Sequence, residues 1–191
     1  MSVARKPEPE RKAALLDAVV DYLCRMGIAD VSLRPLAKVL GVSTYVLIYH
    51  FGSREGLLAQ ALGSVEQRQR RMIVAWAEAE PAASTADLVE RWWGWCSDPE
   101  HLPLIRLTIE ATALEGTRSG LPAALRTRLV SEWVDLLASA LRAERRSAAQ
   151  ARAEATLLNA SLVGLALDLS ATGDRRRAQA AARALIRTLR A

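Results

Sequence analysis

Apolar residues recur every three or four positions along almost the whole chain, and nothing alternates for long with the two-residue period of a strand. That spacing lines one face of a helix, so it predicts an all-α protein of about nine helices. The first helix runs from about Glu10 to Met26, with Leu15, Leu16, Val19, Val20 and Leu23 on one face and Gly27 at its end. Ser32 is placed to cap the second, with Pro35 in its first turn, where a missing N–H costs little. Ser43 is placed to cap the third and Ser53 the fourth, with Glu55 in the positive first turn of the latter. The fourth is long, from about Arg54 to Ala79, and Leu58, Leu62, Val65, Met72 and Trp76 trace its buried stripe. Beyond the break around Pro81, helices are expected over about Asp87 to Ser97, Leu102 to Glu115 and Pro122 to Arg145. Two more follow, capped by Ser147 and Asp174, the first of them ending at Gly173.

The stretch from Val31 to Leu58, VSLRPLAKVLGVSTYVLIYHFGSREGLL, carries the sharpest chemical message. Two short helices flank a tight turn. Ala37 is small enough for them to cross closely, Gly41 can take the left-handed conformation that ends the first, and Leu47 turns the second helix's apolar side inward. This is helix-turn-helix spacing, and such a unit lays its second helix in the major groove of double-stranded DNA.

Charge agrees. The net charge is +5, and through Arg71 there are eleven Lys and Arg against seven Asp and Glu, with fifteen against fourteen in the remainder. The basic surplus therefore sits beside the helix-turn-helix, where a polyanion would bind. No clean apolar run approaches the ~20 residues needed to span a bilayer, the longest being about Leu162 to Leu167. The start, MSVARKPEPERK, is charged and lacks the apolar middle of a signal peptide, so a disordered lead and a cytoplasmic protein with no membrane partner are expected. Cys24 and Cys96 read as free thiols, and with only His50 and His101 beside them no metal site is expected. There is no G-x-S-x-G, no glycine-rich phosphate loop, no H-E-x-x-H and no convincing carboxylate pair. Hence no catalytic residue and no cofactor are expected, and an α-helical enzyme is the weakest reading.

These features together resemble the TetR family of bacterial transcription regulators. Gly41-Val42-Ser43 through His50-Phe51 fits the family's turn and recognition helix, and Phe51-x-x-Arg54-x-x-Leu57 fits the start of its fourth helix. The resemblance implies a helix-turn-helix DNA-binding domain over residues 1–52, followed by a larger ligand-binding and dimerisation domain over 53–191. It implies a homodimer that binds an operator, most simply a repressor released by a small-molecule effector. An architectural helix-turn-helix protein with weak sequence preference is the alternative. Carried over residue by residue, the pattern turns Thr44, Tyr45 and Ile48 to base edges and Ser43, Tyr49, His50 and Arg54 to phosphates, with Arg34 a further phosphate candidate. Two of these have a local alternative: His50 can satisfy a nearby carbonyl, and Tyr49 can pack on the first helix. The chain departs from the family in having Ile48 where Tyr is usual, Tyr49 one place later, Tyr45 where Gly is common, and Arg54 for Lys.

In the family the fourth to seventh helices enclose the effector. Here that region holds Trp76, Trp92, Trp95 and Trp133 with Thr108 and Thr112, which suits an apolar or aromatic ligand, although any one Trp can equally be core. Glu110 is open to either solvation or a cationic effector. The last two helices mix aliphatic with small residues: Ala155, Asn159, Ala160, Gly164 and Ala166, then Ala178, Ala181 and Ala182. The resemblance makes these the surface through which helices 8 and 9 pair with their copies.

Overall fold

A computed structural model describes residues 8–29, 31–113 and 121–190. Among them lie nine helices and no strand: α1 (Glu8–Met26), α2 (Leu33–Val39), α3 (Thr44–Phe51), α4 (Arg54–Ala79), α5 (Thr85–Cys96), α6 (Leu102–Ala113), α7 (Ala123–Ala143), α8 (Ala148–Thr172) and α9 (Arg175–Arg190). The all-α expectation holds, and the bounds of α4 are those the pattern gave. The α5 helix starts earlier than expected. Ser84 and Asp87 form a reciprocal capping box, Ser84 Oγ accepting from the Asp87 N–H at 3.3 Å and the Asp87 carboxylate accepting from the Ser84 N–H at 2.9 Å. Asp87 is thus the third residue of the helix rather than its start. Ser32 occupies the N-cap of α2, but its side chain makes no capping bond. The expected end of α6 at Glu115 and Gly116 lies outside the described residues.

One apolar core joins α1, α2, α3 and the first half of α4 to α6 and the start of α7: Leu36, Leu47 and Phe51 share it with Leu107, Ala111 and Leu125. It runs straight across residue 52, so the helix-turn-helix unit is seated on the body. A second core lies between α5, α6, α8 and α9. Trp93 is buried in it, its indole N–H donating to Gln179 Oε1 at 2.9 Å. Small residues serve these contacts first. Ala151 and Ala155 lie with Leu141 in the seam between α7 and α8, and Ala166, Ala178 and Ala182 lie in the second core. Ala155, Ala166, Ala178 and Ala182 therefore pack within the protomer, leaving Ala160, Gly164 and Ala181 exposed.

By length and composition α8 is apolar enough to cross a membrane, its apolar residues spread along the helix rather than gathered in one unbroken run. Little of it is buried in the protomer. Leu157, Val163 and Leu167 are among its exposed side chains.

The stripe of α4 also ends differently from the expectation. Leu57, Leu58, Ala61, Leu62 and Val65 are buried, and the next buried positions are Glu66 and Gln69, while Met72 and Trp76 are half-buried. Glu66 packs against Glu132 of α7. Burial, together with the hydrogen bond and charge of Glu132, pushes its carboxyl up to about 7, against the pull of Arg70 and Arg128. A carboxyl with a raised folded pKa binds more protons folded than unfolded, so its contribution is full below the ordinary value of 4.5 and is lost as pH rises towards 7. Glu66→Gln should therefore raise the Tm clearly at pH 8 and hardly at pH 5. Equal shifts in melts at the two pH values would show that Glu66 does not titrate in this range.

Candidate nucleic-acid interface and effector cavity

The turn between α2 and α3 closes as the sequence dictates. Gly41 has φ +66°, and the next N–H, that of Val42, reaches back to the Ala37 carbonyl at 3.0 Å. Ser43 Oγ accepts from the Val46 N–H at 3.3 Å and so caps α3. With Leu47 and Phe51 turned into the core, the outward face of α3 carries Tyr45, Ile48 and Tyr49, which are 74%, 48% and 66% exposed. One helical turn apart, the Tyr45 and Tyr49 rings stack with centroids 6.4 Å apart and planes 25° from parallel. Thr44 stands half-buried at the start of the helix, and Arg34 is exposed on α2. This face offers two phenol hydroxyls, which donate or accept, and an aliphatic surface suited to a thymine methyl.

Two expected phosphate ligands point elsewhere. The His50 side chain is only 9% exposed, with Nδ1 3.8 Å from Glu8 Oε1 of α1. Its ring lies against the start of α1 rather than on the outer face. Arg54 also turns inward: Nε donates to the Val31 carbonyl at 2.6 Å and Nη2 to the Ile28 carbonyl at 3.1 Å. Those carbonyls belong to the connection between α1 and α2, so the guanidinium ties that connection to the start of α4 instead of reaching out to a phosphate.

The same connection is gripped from the other side. Glu110 of α6 accepts from the Ile28 N–H at 2.8 Å and the Ala29 N–H at 3.2 Å. This half-buried carboxylate is thus committed to the backbone of the connection. Gly27 makes room for it. Its φ is +78°, and a Cβ there would lie 3.1 Å from both Glu110 carboxylate oxygens. No sequence signal links partners more than eighty residues apart; the one hint is a carboxylate within the mostly apolar LPLIRLTIEATA of α6.

Behind this unit the body holds two adjoining chambers. The first, about 380 Å³, lies between α4, α5, α7 and α8, with Ile73, Val74, Leu88, Leu137 and Leu162 in its walls. The second, about 260 Å³, is lined by Gln69, Ile105, Thr108, Ile109 and Thr112. Trp92, Trp133 and Asn159 line both chambers, and the two indoles meet with centroids 6.1 Å apart. Of the six residues expected in a ligand pocket, Trp92, Trp133, Thr108 and Thr112 come together here. Trp76 and Trp95 do not. The Arg91 guanidinium covers the Trp76 ring at 4.6 Å, while Trp95 stacks on His101 at 4.2 Å and faces a separate hollow of about 160 Å³ with Val20, Val65 and Gln69. Gln69 and Asn159 were not expected in the cavity. The signal for Gln69 was there, since it stands four residues after Val65 and three before Met72, a polar residue in an apolar stripe. Asn159 reads from sequence as part of the intermolecular surface.

No family model matches the chain. Two curated helix-turn-helix transcriptional regulators do. BetI of Klebsiella pneumoniae strain 342 is 25% identical over 83 residues, 44% of this chain and 43% of the relative. BetI 1 of Chromohalobacter salexigens is 31% identical over 58 residues, 30% of this chain and 29% of the relative. The aligned stretches thus span less than half of these relatives. Solved structures match over nearly the full length. A TetR-family transcriptional regulator from Agrobacterium tumefaciens superposes with a TM-score of 0.71 at 22% identity, over 95% of this chain and 98% of that one. A transcriptional regulator from Saccharomonospora viridis, solved in complex with choline, gives 0.70 at 18% identity, over 93% and 94%. These relatives and neighbours are regulators rather than enzymes. The chain has the fold of the TetR-family transcriptional regulators, the family that its helix-turn-helix motif resembles.

Proposed function

We propose that the chain is a sequence-specific DNA-binding regulator of transcription. It acts as a homodimeric repressor in the cytoplasm and is released from its operator by a small molecule held beside Trp92 and Trp133. The observation that carries this reading is the outward face of a capped recognition helix, where Tyr45, Ile48 and Tyr49 stand exposed. Thr44, Tyr45 and Ile48 are assigned to base edges, and Ser43, Tyr49 and Arg34 to phosphates. Residues 1–52 form the reading unit and 53–191 the ligand-binding and dimerising part. The choline complex of the Saccharomonospora viridis neighbour supports a body able to take a small ligand, without naming the one used here.

The dimer surface is assigned to α8 and α9. Leu157, Val163 and Leu167 are exposed on α8 around Gly164, an apolar face that water solvates poorly and a second copy would cover. A Cβ on Gly164 meets nothing within 4 Å in the protomer. Gly164→Arg should therefore leave the fold intact and give monomers in analytical ultracentrifugation. A variant that sediments wholly as a dimer would move the interface elsewhere.

Selection from a random duplex pool should enrich a two-fold symmetric site, because symmetric dimers read symmetric half-sites. A specific-to-nonspecific affinity ratio near one would favour the architectural alternative. On the selected site, Arg34→Ala should flatten the slope of log affinity against log salt by about one unit per half-site. Arg54→Ala should lower the Tm while leaving that slope unchanged. A flattened slope for Arg54→Ala would return it to the phosphate backbone.

A further inference from the structure

We infer that the two chambers take one uncharged ligand of aromatic or hydrocarbon character that carries a central hydrogen-bond acceptor, such as a ketone, ester or amide carbonyl. This deepens the effector reading above and rests on it.

The inference starts from donors without partners. Gln69 is 4% exposed and borders both the second chamber and the hollow beside Trp95, yet its Nε2 has no hydrogen-bond partner among the described residues. The buried indole Nε1 of Trp92 is likewise without one, and Trp92 lines both chambers. Buried donors left unmade are costly, and a ligand acceptor would satisfy them. The two threonines do not compete for this role, since their hydroxyls already donate within α6, Thr108 to the Leu104 carbonyl at 3.1 Å and Thr112 to the Ile109 carbonyl at 2.9 Å.

Shape and charge narrow the class. Trp92, Trp133 and Asn159 border both chambers, so they form a waist with an apolar compartment on either side. A ligand with apolar groups at both ends and its acceptor in the middle fits that division. Neither lining contains a Lys or Arg, so a carboxylate would be desolvated with no cation to meet it. The single carboxylate, Glu78, is solvent-exposed and borders only the first chamber. An ammonium placed at the waist gains nothing from it.

Four probes that share two phenyl rings on one carbon separate these possibilities by calorimetric titration of the intact protein. They are benzophenone, diphenylmethane, diphenylacetate and the diphenylmethylammonium ion. Benzophenone should bind about tenfold or more tightly than each of the others, the worth of one well-placed hydrogen bond in a buried site. Gln69→Leu or Trp92→Phe should shrink the ketone's advantage, read as the ratio of benzophenone to diphenylmethane affinity within each variant, so that a general change in apolar binding cancels. Tighter binding of either ion, a ketone advantage that survives undiminished in both variants, or no binding by any of the four would overturn the inference. The titration contains no DNA, so it stands apart from the regulatory reading. If benzophenone binds as expected but operator affinity stays constant, the ligand class holds and the release mechanism fails.

Discussion

Hydrogen bonds that Glu110 accepts from, and Arg54 donates to, the backbone between Ile28 and Val31 fix where the helix-turn-helix unit sits on the body. Apolar burial alone does not do this. Leu36, Leu47 and Phe51 hold α2 and α3 against α1, but such contacts are non-directional and tolerate small rotations. Charged groups on backbone amides and carbonyls are directional, and each is worth about 1.5–3 kcal/mol when partly buried. The carboxylate comes from α6 and the guanidinium from the first residue of α4, so the connection is held between two helices of the body. Gly27 belongs to the same device, because a side chain there would crowd the Glu110 carboxylate.

Both helices that grip the connection also line the cavity. On α6, Thr108, Ile109 and Thr112 face the second chamber while Glu110 faces the connection, as the ~100° turn per helical residue allows. On α4, Gln69 lines that chamber and Arg54 stands at the N-terminal end. Under the proposed function, a ligand that fits one placement of α6 better than another would change how the connection is held, and with it the spacing of the two recognition helices of the proposed dimer. Only a difference in affinity between the placements can do this, with a coupling of about 1–3 kcal/mol expected for such systems.

Much of the fold was legible from the sequence, and the reasons are local. The cap at Ser53 and the break before Pro81 bounded α4, and Ala37, Gly41 and Leu47 marked the turn. The outward placing of Tyr45, Ile48 and Tyr49 came from the family pattern, with Leu47 turned inward. What was not legible is what long, flexible or polar side chains do across the chain. Arg54 and His50 carry the right chemistry for phosphate, yet α1 and its following connection reach them first. Trp76 and Trp95 sit on helices next to the cavity but are covered by Arg91 and His101. The small residues of α8 and α9 were read as one surface, although most of those on the inner faces pack within the protomer. Periodicity assigns a face, but not which neighbour occupies it.

The most direct test of this account is amide hydrogen exchange at Ile28 and Ala29, the two N–H groups that Glu110 holds. Exchange is compared in the free protein and in protein saturated with a ligand that releases the operator. The account predicts slow exchange at both amides in the free protein and clearly faster exchange with the ligand bound, as α6 moves Glu110 away. Unchanged exchange at these two amides while the operator is released would contradict it.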